Sequence, residues 1–307
     1  MNEEFNKLLQ ASFKSEDTEE WLDVHFTRPI GLVFALFWNK LGVHPNAITV
    51  LSIFLGIGAG WMFYYTDLMH NVAGVLLLML ANFCDSTDGQ MARLTGKKTL
   101  IGRVLDGFSG DVWFFCIYFA LCMRLMPQLI PGTDVRWGWV IWAIGAVSGF
   151  MCHSPQSSLS DYYRQIHLFF LKGKEGSELD NYSQQRAIYE SLPKSNVIGR
   201  LFYYNYANYC KSQEKRTPVF QRFFKEYQEK PLPFIRTAFL TGSRPLMKYT
   251  NILTFNVRAI ALYVTCLLNI PWAYFLFEMT VLTVLYVYMH HRHESLSGRM
   301  LEEMQAN

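Results

Sequence analysis

Apolar residues along this chain arrive in blocks. The stretches Ala47–Tyr65, Val72–Asn82, Phe108–Met126, Trp137–Cys152, Thr254–Ile270 and Tyr274–Met289 each approach the length a helix needs to cross about 30 Å of hydrocarbon. A soluble fold would have to bury all of them as core helices, which few soluble chains do. The pattern therefore predicts an all-α integral membrane protein built as a six-helix transmembrane bundle.

Ahead of the first block, Trp21, Phe26, Phe34, Phe37 and Trp38 alternate with Arg28 and Lys40, as in an amphipathic helix lying in the headgroup plane. Charged residues continue through Asp23, and the segment lacks the basic start, apolar run and small-residue site of a cleavable signal. Between the fourth and fifth blocks runs a polar region of about a hundred residues, too long for a plain connector. Within it Arg200–Lys211 and Val219–Lys230 are dense in aromatics with interleaved Lys and Arg, which predicts amphipathic helices lying on a surface. The expected organisation is an interfacial N-terminal arm over 1–41 and spans one to four over 42–171. A cytoplasmic helical insertion over 172–250 follows, and then spans five and six with a tail over 251–307.

Charge sets the orientation. The N-terminus, Arg93–Arg103, the stretch after Cys152 and the C-terminus hold nearly all Lys and Arg, while the opposite loops hold only Arg136. Basic loops stay inside, so both termini and the loop after the second span are expected in the cytoplasm, at a bacterial inner membrane. The formal charge of +3 is too small to argue for nucleic acid and is accounted for by this asymmetry. The six cysteines show no C-x-x-C spacing, which leaves no zinc site built on Cys pairs.

The chemistry concentrates in Asn82–Asp111. Carboxylates at a membrane boundary are costly, about 2.5–3.5 kcal/mol each at a helix centre, and so are functional candidates. Asp85 and Asp88 lie about 60° apart round a helix, and Gly89, Ala92 and Arg93 fall in the same arc. Two carboxylates on one face repel unless a cation sits between them, and hard Mg²⁺ or Ca²⁺ prefers oxygen ligands. Gly89 and Ala92 leave room for a flat ligand, and Arg93 offers a planar fork to phosphate. Asp106, four residues after Gly102, starts the next span and can meet the same face across a short loop. Three converging carboxylates suffice for one or two divalent ions that clamp a pyrophosphate.

The run Asp85-x-x-Asp88-Gly89-x-x-Ala92-Arg93, eight residues, Gly102-x-x-x-Asp106 resembles the signature of the CDP-alcohol phosphotransferases. His44-Pro45-Asn46-Ala47-Ile48-Thr49 is similar to the Pro-Asn-x-x-Thr element before the first span of that family, although Asn46 could equally be a helix N-cap. The resemblance implies a CDP-diacylglycerol-type lipid as donor, Mg²⁺ or Mn²⁺ in pairs, release of CMP, and a homodimer. It implies that Asp85, Asp88 and Asp106 hold metal, and that Asp85, Gly89, Ala92, Arg93 and Gly102 line the CDP moiety. Transfer of the phosphatidyl group to an alcohol would rest on positioning and charge neutralisation, with a carboxylate taking the hydroxyl proton.

The chain departs from the family at the fourth carboxylate, which stands one residue late, as Asp111 behind Gly110. On a regular helix that is about 140° from Asp106. A one-residue π-bulge, made easier by Gly107 and Gly110, would return Asp111 to the metal cluster as ligand and base. On the acceptor side Lys97, Lys98, Arg103 and Arg258 are the cationic candidates for a phosphorylated alcohol, and the Phe26–Ile30 segment is similar to the inositol-phosphate and polyol-phosphate subgroup. Two other classes fit less of the chain. One is a CDP-lipid-binding membrane protein without turnover; the other is an ion-coupled transporter, for which the last two spans supply only Glu278.

Overall fold

The computed structural model describes residues 3–12, 15, 17–97 and 99–306. The chain opens with α1 (Glu3–Ser12), a π-helical turn at Asp23–Thr27, α2 (Arg28–Lys40), α3 (Pro45–Tyr64), α4 (Leu68–Thr95) and α5 (Leu100–Leu125). Next come α6 (Val140–Ala146), a π-helical segment at Val147–His153, α7 (Ser154–Lys172), α8 (Tyr182–Ser191), α9 (Val197–Arg216) and α10 (Pro218–Glu229). The remainder is α11 (Pro233–Ser243), α12 (Met247–Ile252), α13 (Phe255–Leu267), α14 (Trp272–Phe277), a π-helical segment at Glu278–Leu282 and α15 (Thr283–Gln305). Among the described residues there is no strand, only an isolated bridge between Leu129 and Arg136. The all-α membrane architecture is borne out.

Five helices are long and apolar enough to cross a membrane: Pro45–Tyr64, Leu68–Thr95, Leu105–Leu125, Pro233–Leu267 and Trp272–Gln305. The expected fourth span, Trp137–Cys152, is helical from Val140 but is not among them. Only its part from Val140 is helical, and Ser148, with the neighbouring His153, turns inward into a polar cluster.

The chain divides into two compact units. The first comprises Met1–Ser154 and Phe255–Leu282, the second Pro155–Thr254 and Thr283–Asn307. In the first, α3 packs closely against α4 and α5 because small residues remove the side chains between them. A Cβ at Gly56 would fall 2.0 Å from the Trp113 ring, one at Gly60 3.0 Å from the Cys116 backbone, and one at Gly74 2.9 Å from Phe63. Phe63, Leu78, Trp113, Ile117, Leu121, Leu262, Tyr274 and Phe275 form the apolar core. α2 leans on α4 through Gly31, whose Cβ would meet Gln90 at 2.6 Å. Its other face leaves Val33, Phe34 and Phe37 exposed.

In the second unit Phe170, Phe223 and Phe239 stack at its centre. Two backbone N–H groups at the start of α10, those of Val219 and Phe220, donate to the Glu294 carboxylate at 2.9 and 3.3 Å, so an acidic side chain satisfies a helix N-terminus. Val219–Lys230 was expected on a surface, yet Phe220 and Phe223 are buried. At the start of α9, by contrast, Val197, Ile198 and Leu201 stay exposed.

Candidate active site

The α4–α5 turn builds the site. α4 ends at Gly96, which takes φ +68°, the left-handed conformation that closes a helix C-terminus and suits glycine. Three residues later the Thr99 hydroxyl accepts from the Gly102 N–H at 2.9 Å and caps α5. So short a reversal sets the last turns of α4 beside the first of α5. Asp85, Asp88 and Asp106 then present carboxylate oxygens all within 4.8 Å of one another.

Asp88 is buried, Asp85 half-buried and Asp106 exposed. At such separations two full charges repel by about 3 kcal/mol at an effective dielectric of about 20. Asp88 Oδ2 is buried without a hydrogen-bond partner. An orphaned carboxylate oxygen beside two more carboxylates fits a hard divalent cation, which takes oxygen ligands and removes the repulsion. Ser109 Oγ lies 2.9 Å from Asp85 Oδ1 and 2.7 Å from the Asp106 carbonyl, bracing α4 against α5.

Arg93 follows on the same face. Its Nε and Nη2 are buried and unpartnered, and a Cβ at Gly89 would sit 3.3 Å from its Nη1, so the glycine leaves the space into which the guanidinium folds. Ala92 is half-buried beside it. Glu19 and Arg28 lie within electrostatic reach of Arg93 and pair with each other through two contacts of 3.2 Å. The Gln90 amide donates to the Arg28 carbonyl at 3.2 Å, pinning the N-terminal arm to the acidic helix.

The Pro45-Asn46-x-x-Thr49 element belongs to this site. His44, not Asn46, caps α3, its Nδ1 accepting from the Asn46 N–H at 3.2 Å. The Asn46 side chain is thereby released, and its Oδ1 would lie 2.9 Å from a Cβ on Gly102. Thr49 is a hydrogen-bond neighbour of Asp88.

Asp111 and Arg258 are not brought to this cluster. α5 is regular α-helix from Leu100 to Leu125, so the expected π-bulge is absent and Asp111 is not in the carboxylate group. For Arg258 the sequence left a structural ion pair and a substrate phosphate as comparable readings. Arg258 is 1% exposed and its Nη1 donates to Glu278, because a buried guanidinium takes the nearest carboxylate. Lys97 is exposed. Lys98 lies outside the described residues; Arg103 stands on α5, and its side chain lies outside them too.

Sequence reasoning passed over Ser109, Glu19 of the arm and Gln90 of α4, and named no partner for Arg258. The spacing of Ser109, three after Asp106, could have signalled the first.

This is a helical membrane chain with a cluster of carboxylates at the end of one span. Residues 42–154 match the CDP-alcohol phosphatidyltransferase family, the family that the motif resembles. The archaetidylinositol phosphate synthase of Pyrococcus horikoshii is 33% identical over 98 residues, 32% of this chain and 46% of that one. The bifunctional IPC transferase and DIPP synthase of Aquifex aeolicus is 29% identical over 105 residues, 34% of this chain and 22% of that one. The chain thus spans less than half the length of either relative.

Proposed function

We propose that the chain is a membrane phospholipid-synthesis transferase that moves a phosphatidyl-type group from CDP-diacylglycerol to a polar alcohol and releases CMP. The convergence of Asp85, Asp88 and Asp106 within 4.8 Å carries this reading. These three residues would hold one or two ions, Mg²⁺ or Mn²⁺, which when bound neutralise the charge of the pyrophosphate. Arg93 donates to a phosphate oxygen through Nε and Nη2, the two groups left unpartnered. Gly89, Ala92 and Gly102 keep the walls low enough for the CDP moiety to approach the backbone. The acceptor oxygen attacks the phosphorus nearer the lipid, the bond to CMP breaks with its electron pair, and Asp111 takes the hydroxyl proton.

The names of the two relatives, one an archaetidylinositol phosphate synthase and the other a DIPP synthase, favour an inositol-phosphate or other polyol-phosphate acceptor. By sequence, Lys97, Lys98 and Arg103 follow Arg93 within ten residues and are the cationic candidates for it. The asymmetry of Lys and Arg supports a site and termini facing the cytoplasm of a bacterial inner membrane, and the family resemblance supports a homodimer. One observation favours a second reading, a CDP-lipid-binding protein without turnover: Asp111 stands outside the carboxylate group.

The test is purified protein in lipid discs with labelled CDP-diacylglycerol, Mg²⁺ or Mn²⁺, and a panel of alcohols and polyol phosphates. CMP release that depends on one acceptor supports the transferase. Donor binding without release under any acceptor supports the second reading.

A further inference from the structure

The helix that carries Asp106 has a second polar edge. Taking Asp106 as the origin, Gly110 lies about 40° round α5, Gly107 about 100° and Asp111 about 140°. A Cβ at Gly107 or Gly110 would meet nothing within 4 Å, so the arc between the two carboxylates is open helix surface. Asp111 shares its edge with Phe114 and Tyr118, three and seven residues on. That edge faces one partner repeatedly. The Phe114 ring lies 4.4 Å from His153 and the Tyr118 ring 5.8 Å from it, and Asp111 is within electrostatic reach of the same imidazole.

His153 is fixed from behind. Its Nδ1 lies 3.2 Å from Glu278 Oε1, 3.2 Å from Arg258 Nη1 and 3.4 Å from the Tyr118 hydroxyl. Glu278 is fully buried and also accepts from Arg258, Tyr118, Ser148 at 3.1 Å and Tyr274 at 3.0 Å. Both His153 and Glu278 sit on π-helical segments, which pack against each other. Such widened turns concentrate at functional sites. The widening expected in α5 is found instead in the two segments that face the Asp111 edge. With Nδ1 engaged, Nε2 is the ring nitrogen left for Asp111.

We propose that His153, its Nδ1 accepting from the Arg258 Nη1 that Glu278 holds in place, is a positioning residue whose Nε2–H orients the Asp111 carboxylate across the open Gly107–Gly110 arc toward the acceptor hydroxyl. This rests on the transferase reading and replaces the bulge. Asp111 need not join the metal ligands, because the imidazole orients it from the other side.

The experiment measures CMP release by the full chain in lipid discs with CDP-diacylglycerol, Mn²⁺ and whichever acceptor the wild type uses. His153→Ala is expected to lower kcat about a hundredfold, the scale of a misplaced reacting group, with the KM for CDP-diacylglycerol unchanged. His153→Gln, which keeps an N–H donor, is expected to recover part of the loss. The decisive arm is Asp111→Asn with and without His153→Ala: a residue acting through Asp111 adds no further loss, whereas a merely structural one multiplies the defect. Multiplying defects, or a His153→Ala kcat within twofold of wild type, overturn the proposal and leave the transferase reading standing. Wild-type protein that binds donor but releases no CMP with any acceptor overturns both.

Discussion

Ser109 Oγ sits 2.9 Å from Asp85 Oδ1, a link between two helices that the α4–α5 turn has only just brought together. A hydroxyl hydrogen-bonded to one carboxylate of the cluster holds it in one orientation. Ser109→Ala is therefore expected to weaken Mn²⁺ binding by about tenfold. Titrating Mn²⁺ against the thermal midpoint of the purified protein reads this directly, and an unchanged half-saturation point refutes it.

Asp88 carries the opposite lesson, because its Oδ2 is buried without a partner while two more carboxylates stand within 4.8 Å. In metal-free protein Asp88→Asn removes a repelling charge, so the thermal midpoint should hold or rise. The stabilisation that divalent cation gives the wild type, which grows with the concentration of ion over its Kd, should disappear. A variant still stabilised by Mn²⁺ as fully as the wild type would remove Asp88 from the ligand set.

Much of this site was legible before the fold. Asp85, Asp88, Gly89 and Arg93 share a helical arc by arithmetic alone, and Gly96 and Thr99 are ordinary signals for stopping one helix and starting the next. Pairings between helices distant in the chain were less legible. An ion pair was one reading of Arg258, but Glu278 could not be named as its partner, since spacing does not tell which spans neighbour each other or at what depth. The same limit hid the edge shared by Asp111, Phe114 and Tyr118. Its periodicity was present, but the partner, His153, lies 35 residues beyond Tyr118.

The closeness of α3 and α5 rests on glycine. A Cβ at Gly60 would come within 3.0 Å of the Cys116 main chain, where no flexible side chain can yield. Gly60→Ala is expected to destabilise the protein by about 1–3 kcal/mol through overpacking, and Gly60→Leu by more. Gly58→Ala is the control, because its Cβ would meet only Leu77, at 3.5 Å. Equal melting temperatures for Gly60→Ala and Gly58→Ala would show that the helices can part at no cost.

Glu278 and Arg258, 0% and 1% exposed, form an ion pair inside the candidate spans. Deleting the acid leaves the guanidinium buried with its principal acceptor gone. Removing one partner of such a pair costs about 3–5 kcal/mol, whereas replacing both by apolar residues of similar volume is often close to neutral. Glu278→Leu should therefore lower the melting temperature steeply, and adding Arg258→Met should restore much of it. The rescued double variant also separates two roles of Glu278. If folding returns while CMP release stays low, the carboxylate does more than balance Arg258, as its 3.2 Å contact with His153 suggests. If activity returns along with stability, the cluster is a structural pair and nothing more.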